Sequence, residues 1–354
     1  MPINSPNVFE VVGYAFLTGI GGGTGTLSYQ LDEYDVSGTW TMPANCIGVE
    51  VWLMEGGSGG SSGERQASGV AARGGFGGLS GSQIFAFFLP QQIAQTVTVT
   101  IGAGGTGGAP VTSDNSVANL GSNGGGTYFG TFFGSEGAQR FAYPKTLIGA
   151  SQYGNGFPAK DLETAWWGNP STGYDQDYVF GNQLPQAYRT KIFASSRTPS
   201  NYLGSTSSGS SMLPLTTATI SSGAVGGGIT SANVAGLGQA GGLGYNYNDI
   251  ATSYAGASAP TLTGENGNSG SDNYTEMYNA GMIMLATNNL GTFKTGQAPS
   301  GGSASTTGTG GNGGNGGKYG LGGAGGGCSR NGNDSGAGGA GAQGCLKVLS
   351  IILN

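Results

Sequence analysis

The chain carries little from which an active site could be built. It has no histidine, so serine- and cysteine-based arrangements that rely on an imidazole base have no base to recruit. Its three cysteines, Cys46, Cys328 and Cys345, are too few and too scattered for a disulfide framework. Without a C-x-x-C pair a structural zinc site also lacks ligands. The thiols are therefore expected to be buried and reduced, with a Cys328–Cys345 bridge as the minor reading. Gly56-Gly57-Ser58-Gly59-Gly60 and Gly59-Gly60-Ser61-Ser62-Gly63 both satisfy G-x-S-x-G, but in a glycine tract that match follows from composition and defines no nucleophile elbow. Gly317-Lys318-Tyr319 lacks the Ser or Thr that a phosphate loop places after its lysine.

One cluster has chemical potential. Asp161, Glu163, Asp175 and Asp177 gather around Trp166 and Trp167, and a pair of carboxyls beside aromatic rings is the equipment of glycan hydrolysis. Solvated loop acids explain the same residues more simply, and the dense D-x-D-x-D-G spacing of a calcium loop is absent. The expectation is a non-enzymatic chain with no cofactor and no metal. The aromatic residues are the better candidates for function. Tyr153, Phe157, Trp166, Trp167, Tyr174 and Tyr178 offer the rigid, amphipathic contact area that recognition surfaces favour, although they would equally serve as the small core of their own module.

Charge and hydropathy narrow the partners. A net charge of −6 and a pI near 4.6 oppose binding to a phosphate backbone, which needs clustered Lys and Arg. No stretch approaches the roughly 18–20 apolar residues of a membrane span, and the N-terminus shows no basic segment followed by a cleavable apolar one. No nucleic acid, no membrane insertion and no secretion signal are expected.

The elements that must position these residues follow from an unusual composition: 76 glycines, 8% charged residues and 36% hydrophobic residues. Such a chain cannot form a conventional helical core, because glycine loses the most entropy on ordering and contributes no side chain. Strand signals appear at Val8–Leu17, Leu27–Tyr34, Thr39–Met42, Ile47–Met54, Thr96–Ile101 and Cys345–Leu353. Thr96–Ile101 alternates strictly, and Pro43 must break the ladder between the third and fourth signals. Several of these strands run directly into or out of glycine.

The glycine tracts keep phase. Gly308, Gly311, Gly314, Gly317, Gly320, Gly323 and Gly326 fall in one three-residue frame, Gly310, Gly313, Gly316, Gly322 and Gly325 in a second, and side-chain-bearing residues such as Asn312 and Asn315 in the third. Gly57, Gly60, Gly63, Gly69, Gly75, Gly78 and Gly81 share another frame. Period three is that of a polyproline II-type helix, which makes no internal hydrogen bonds and must bond to its neighbours. Collagen needs proline that these tracts lack. The expected fold is therefore all-β, with short strands alternating with packed polyglycine II helices, 308–326 extending about 56 Å if it is one unbroken helix, plus a loop-rich aromatic insert. The division is 1–36 as an N-terminal attachment segment, 37–130 and 221–354 as the two parts of a glycine-rich domain, and 131–220 as the insert.

The order of these signals resembles the glycine-rich domain of tailed-phage tail proteins. Gly38-Thr39-Trp40-Thr41-Met42-Pro43 leads to a hydrophobic strand ending in glycines, a later strand ends in Gly102-Ala103-Gly104-Gly105, Asn123-Gly124-Gly125-Gly126 reaches Phe129-Gly130, and a hydrophobic strand closes the chain. The similarity covers 38–130 and about 300–354. More loosely, the period-three tracts are similar to those of T-even-like long tail fibre tip adhesins. The resemblance implies a structural virion protein, expected in a tail fibre or tip adhesin. It would contact other virion proteins and a host cell-surface receptor and would form a homo-oligomer, a trimer among the options. A purely architectural head, tail or collar role is the alternative, and an ice-binding or matrix protein the weakest reading.

Overall fold

The structure, a computed structural model, describes residues 26–81, 83–135, 192–193, 223–241, 244–246, 249–254, 257–270, 275–277 and 293–354. Among these residues the chain is all-β. The one helical element is a three-residue 3-10 turn at Pro90–Gln92, and the strands are named β1 to β15 in chain order. Two antiparallel sheets dominate. The larger runs β1 (Leu27–Tyr34), β15 (Cys345–Leu353), β3 (Cys46–Met54), β5 (Gln83–Phe88), β9 (Ile192–Phe193). The smaller runs β2 (Gly38–Thr41), β6 (Thr96–Thr100), β7 (Thr127–Phe129), β8 (Phe133–Ser135). Three short pairs complete the set: β4 (Arg65–Gln66) parallel to β14 (Ser329–Arg330), β10 (Gly244–Asn246) with β11 (Asp249–Tyr254), and β12 (Thr275–Met277) with β13 (Phe293–Thr295).

The sequence pattern explains the sheets. In β6 the valines Val97 and Val99 are buried and the threonines exposed, as alternation requires. Between β2 and β3 the chain turns at Pro43 and at Asn45, whose φ of 57° is tolerated by asparagine. Val49, Val51 and Leu53 of β3 and Leu346 and Val348 of β15 meet Trp40, Val97, Val99, Phe129 and Phe133 of the smaller sheet in one core. Trp40 and Phe129 lie 5.4 Å apart at their ring centres, Phe88 and Phe133 6.3 Å. Each such side chain contributes roughly 1.5–3 kcal/mol by leaving water. The C-terminal strand pairs with β1 along its whole length, Leu27 opposite Leu353 through Tyr34 opposite Leu346. The Leu27–Tyr34 signal is thus part of the same sheet as the closing strand. Strand β5 has no counterpart among the sequence signals.

Beyond the sheets, glycine tracts replace strands. From Gly56 to Glu64 nine consecutive backbone N–H groups donate to other segments at 2.8–3.1 Å, and none bonds within the tract. Gly56, Gly59 and Ser62 donate to Gly125, Ser122 and Asn119; Gly57, Gly60 and Gly63 to Ala342, Gly339 and Gly336; Ser58, Ser61 and Glu64 to Leu79, Phe76 and Arg73. Each set of three steps along a different neighbour. The carbonyls of Gly57 and Gly60 accept from Gly105 and Gly108, those of Ser58 and Ser61 from Gly323 and Gly326. A Cβ built at Gly57, Gly60 or Gly63 would fall closer than 3.0 Å to the backbone of 321–328. Only glycine permits this approach.

The glycine frames run through turns. Segment 308–326 is not one unbroken helix: it turns at Lys318–Gly320, where Gly320 has φ 68°. The two arms then lie side by side, with Ala324 N–H donating to Gly314 O and Gly327 N–H to Gly311 O. The frame through Gly57 and Gly81 likewise folds back, and Gly69 sits in the turn with φ 81° and open space around its Cβ position. Phase survives because the turn glycines stay in register with the tract glycines.

Candidate functional site

The aromatic candidates Tyr153, Phe157, Trp166, Trp167, Tyr174 and Tyr178 lie outside the described residues, as do the acids Asp161, Glu163, Asp175 and Asp177 and the strand signal Val8–Leu17. Of the lattice glycines, Gly311, Gly314, Gly323 and Gly326 have backbone of a neighbouring tract closer than 3.0 Å to the point where an added methyl group would sit. Gly317 donates to Gln297 O at 3.3 Å. Gly320 is a turn residue, and Gly308 meets nothing closer than Ser305 Oγ at 3.5 Å. Asn312 and Asn315 are exposed as their frame requires, but they are also engaged: their Oδ1 atoms accept the N–H of Ala337 and Ala340, each at 2.8 Å.

Sequence reasoning missed a recurring pairing that uses serine. Where a tract residue with a large side chain stands opposite a serine, the serine N–H donates to that residue's carbonyl and its Oγ accepts the same residue's N–H. Ser58 does so with Leu79, Ser61 with Phe76, Ser62 with Asn119, Ser122 with Thr106, Ser300 with Asn268 and Ser335 with Val111. The hydroxyl supplies an acceptor in a crowded interior where an unpaired N–H would be costly. The signal in the sequence is a serine at glycine spacing inside a tract.

The tracts run between two ends. At one end they enter and leave the sheets. At the other, the segments 67–70, 112–117, 230–234 and 330–334 meet, and two buried arginines on the adjacent strands β4 and β14 reach into them. Arg65, 7% exposed, places Nη2 2.6 Å from Asp114 Oδ1 and Nη1 3.0 Å from Asp334 Oδ1, and also donates to Thr112 O. Arg330, 5% exposed, donates from Nη1 to the carbonyls of Ala67, at 2.8 Å, and Val70, and from Nη2 to Thr230 O at 2.9 Å. The Nε of each has no partner among the described residues. Asparagines tie the loops further: Asn115 Oδ1 accepts from Ala67 N and Asn331 Nδ2, and Asn233 Oδ1 accepts from Gly69 N. Asn115 and Asn233 both have positive φ, 53° and 63°. Val70, Val117 and Val234 project from three of these segments at 49%, 66% and 60% exposure. Sequence reasoning did not single out the two arginines, which share their stretches with Glu55, Glu64, Arg73 and Asp334.

What the described residues of the loop end offer a partner is shape and hydrogen bonding. Among the described residues no group of three or more His, Cys, Asp or Glu could hold a metal ion, and no helix is long and apolar enough to cross a membrane. Cys46, Cys328 and Cys345 are free thiols. Burial, aided by the nearby charge of Glu64, pushes the Cys328 thiol up to about 12, and burial likewise raises Cys345; neither is a nucleophile at neutral pH. No protein-family model matches the chain, and no curated protein is significantly similar to it.

Proposed function

We propose that this chain is a structural virion protein of a tailed bacteriophage, one that presents recognition loops to a host surface from a scaffold of packed polyglycine II helices. The observation that carries the reading is the bonding of 56–64, whose nine N–H groups serve three neighbours in rotation. That rotation is the behaviour of a helix with three residues per turn and no internal bonds, and nine residues of it span about 28 Å. A scaffold of this kind holds its end loops far from the sheets with almost no side-chain volume. The resemblance in 38–130 and 300–354 supports the viral assignment: β2, β3, β6, β7 and β15, which carry its motifs, pack into one core.

The recognition surface on this reading comprises the loop end with Val70, Val117 and Val234, and the aromatic insert with Trp166 and Trp167. Of the expected attachment segment 1–36, Leu27–Tyr34 is an edge strand of the larger sheet, so attachment to other virion proteins or sister subunits falls to the residues before it and to that edge. The test uses particles carrying Val70→Asp with Val234→Asp, or Trp166→Ala with Trp167→Ala. Intact particles that adsorb poorly to host cells support recognition and say which surface performs it. Normal adsorption by both variants, or failure of particles to assemble, overturns it in favour of an architectural head, tail or collar role.

A further inference from the structure

The loop end is organised by charge that the scaffold does not need. Among the described residues Arg330 has three backbone carbonyls as partners and no carboxylate, so its place is not explained by charge pairing. What its guanidinium reads is the position of two chain segments, 67–70 and 230–234. Arg65 does the same for the other two, through Thr112 O and Asp114 on one and Asp334 on the other. The planar fork of arginine suits this task because its donors point in fixed, divergent directions, and a lysine ammonium cannot reproduce them. Both side chains are retained although each leaves an Nε–H buried without an acceptor, which costs stability.

Resting on the reading of this end as a recognition surface, we infer that Arg65 and Arg330 are positioning residues that clasp the loops in two pairs. Arg65 holds 112–117 against 330–334, and Arg330 holds 67–70 against 230–234. The two clasps sit side by side because β4 and β14 are in register, Ser329 opposite Arg65 and Arg330 opposite Gln66. Their effect is to present Val70, Val117 and Val234 in a fixed arrangement before any partner arrives, so that binding does not have to order the loops. Asn115, bonded to both Ala67 and Asn331, joins the two halves.

The experiment is amide hydrogen exchange on the full chain, with thermal melting alongside. Arg330→Met, which removes all three hydrogen bonds from the charged guanidinium, is expected to speed exchange in 67–70 and 230–234 by roughly tenfold or more. Segments 112–117 and 330–334, and the tract donors Gly57, Gly60 and Gly63, should keep their protection. Arg65→Met should give the opposite pattern, and Arg65→Lys should restore it only in part. Asp114→Asn with Asp334→Asn, at carboxylates about half exposed, repeats the Arg65 pattern without threatening the fold and decides the matter if the methionine variants do not fold. Equal loosening of all four segments, loss of tract protection together with the loops, or no change overturns the clasp. The exchange pattern is independent of adsorption: if it holds while particles with Val70→Asp and Val234→Asp adsorb normally, the clasp stands and the reading of this end as a recognition surface falls.

Discussion

Gly308 and Gly314 occupy the same frame of the sequence, yet the structure assigns them opposite responses to a single methyl group. At Gly314 an added Cβ would fall closer than 3.0 Å to Asn268 O and 2.9 Å from Ser269 N. Both are backbone atoms, so no side chain can swing away and the tracts 264–270 and 309–317 must part by about an ångström to restore ordinary contact. The bonds across that seam, Gly267 N–H to Asn312 O at 2.7 Å and Gly270 N–H to Asn315 O at 2.8 Å, would be stretched beyond useful length. Losing two such bonds at about 1–3 kcal/mol each, less the roughly 0.4–1 kcal/mol gained by restricting the unfolded chain, gives a net loss of about 1–5.5 kcal/mol for Gly314→Ala. At Gly308 the new methyl meets only Ser305 Oγ at 3.5 Å, an ordinary contact, so Gly308→Ala should be neutral or stabilise by up to about 1 kcal/mol. Equilibrium denaturant unfolding of the two variants measures the difference. If they fall within about 1 kcal/mol of each other, close backbone approach is not what fixes glycine in these tracts.

Other outcomes follow from the same structure. Ser61→Ala removes the acceptor of the Phe76 N–H, at 2.7 Å in the interior, and should cost about 1–3 kcal/mol in chemical denaturation, with Ser61→Thr recovering the bond only where its extra methyl fits. Burial pushes Glu50 up to about 7 against an opposing hydrogen bond from the Trp52 side chain; since the folded state then binds the proton more tightly than the unfolded chain, Glu50's contribution to stability is fully present below pH 4.5 and is lost as pH rises through 7, by roughly 3 kcal/mol at most. Glu50→Gln should flatten that slope in melts between pH 4 and 8 (about the window its titration spans), and an unchanged slope would assign it to other groups. In thiol labelling of the native protein half-buried Cys46 should react first, while Cys328 and Cys345 react only after unfolding; equal native rates would contradict their burial.

Much of the β-structure was legible because it is written in side chains. Thr96–Ile101 announces its two faces by alternation, Cys345–Leu353 by its apolar run, and the break at Pro43 by the missing donor. Strand β5 was not, since Gln83-Ile84-Phe85-Ala86-Phe87-Phe88 is continuous rather than alternating and begins two residues after a glycine tract. The turn at Lys318–Gly320 was hidden for a different reason. Both arms have the same composition and Gly320 keeps the frame, so period three reads identically along one straight tract and through two arms that fold back. The arginines at the loop end left no such signal, since Arg65 follows Glu64 and Arg330 stands four residues before Asp334; their role emerges only once β4 and β14 are seen to be neighbours.

What the sequence of a glycine tract cannot carry in its glycines is which tract lies beside which, because a contact made by backbone alone is the same for every pair. The serines and asparagines resolve part of this degeneracy. Asn312 and Asn315, three residues apart, accept from Ala337 and Ala340, also three apart, while the N–H groups of Asn312 and Asn315 donate to Asn266 Oδ1 and Ser269 Oγ. Three tracts are thereby joined in one register by side chains whose own period matches the backbone. A slip of one residue would set each oxygen against a position with no free N–H, and a slip of three would strand the terminal members. Side-chain acceptors at glycine spacing therefore act as register marks on a lattice that backbone bonding alone would leave free to slide. This gives Asn312 and Asn315 a structural role despite their exposure, alongside the frame that puts them at the surface.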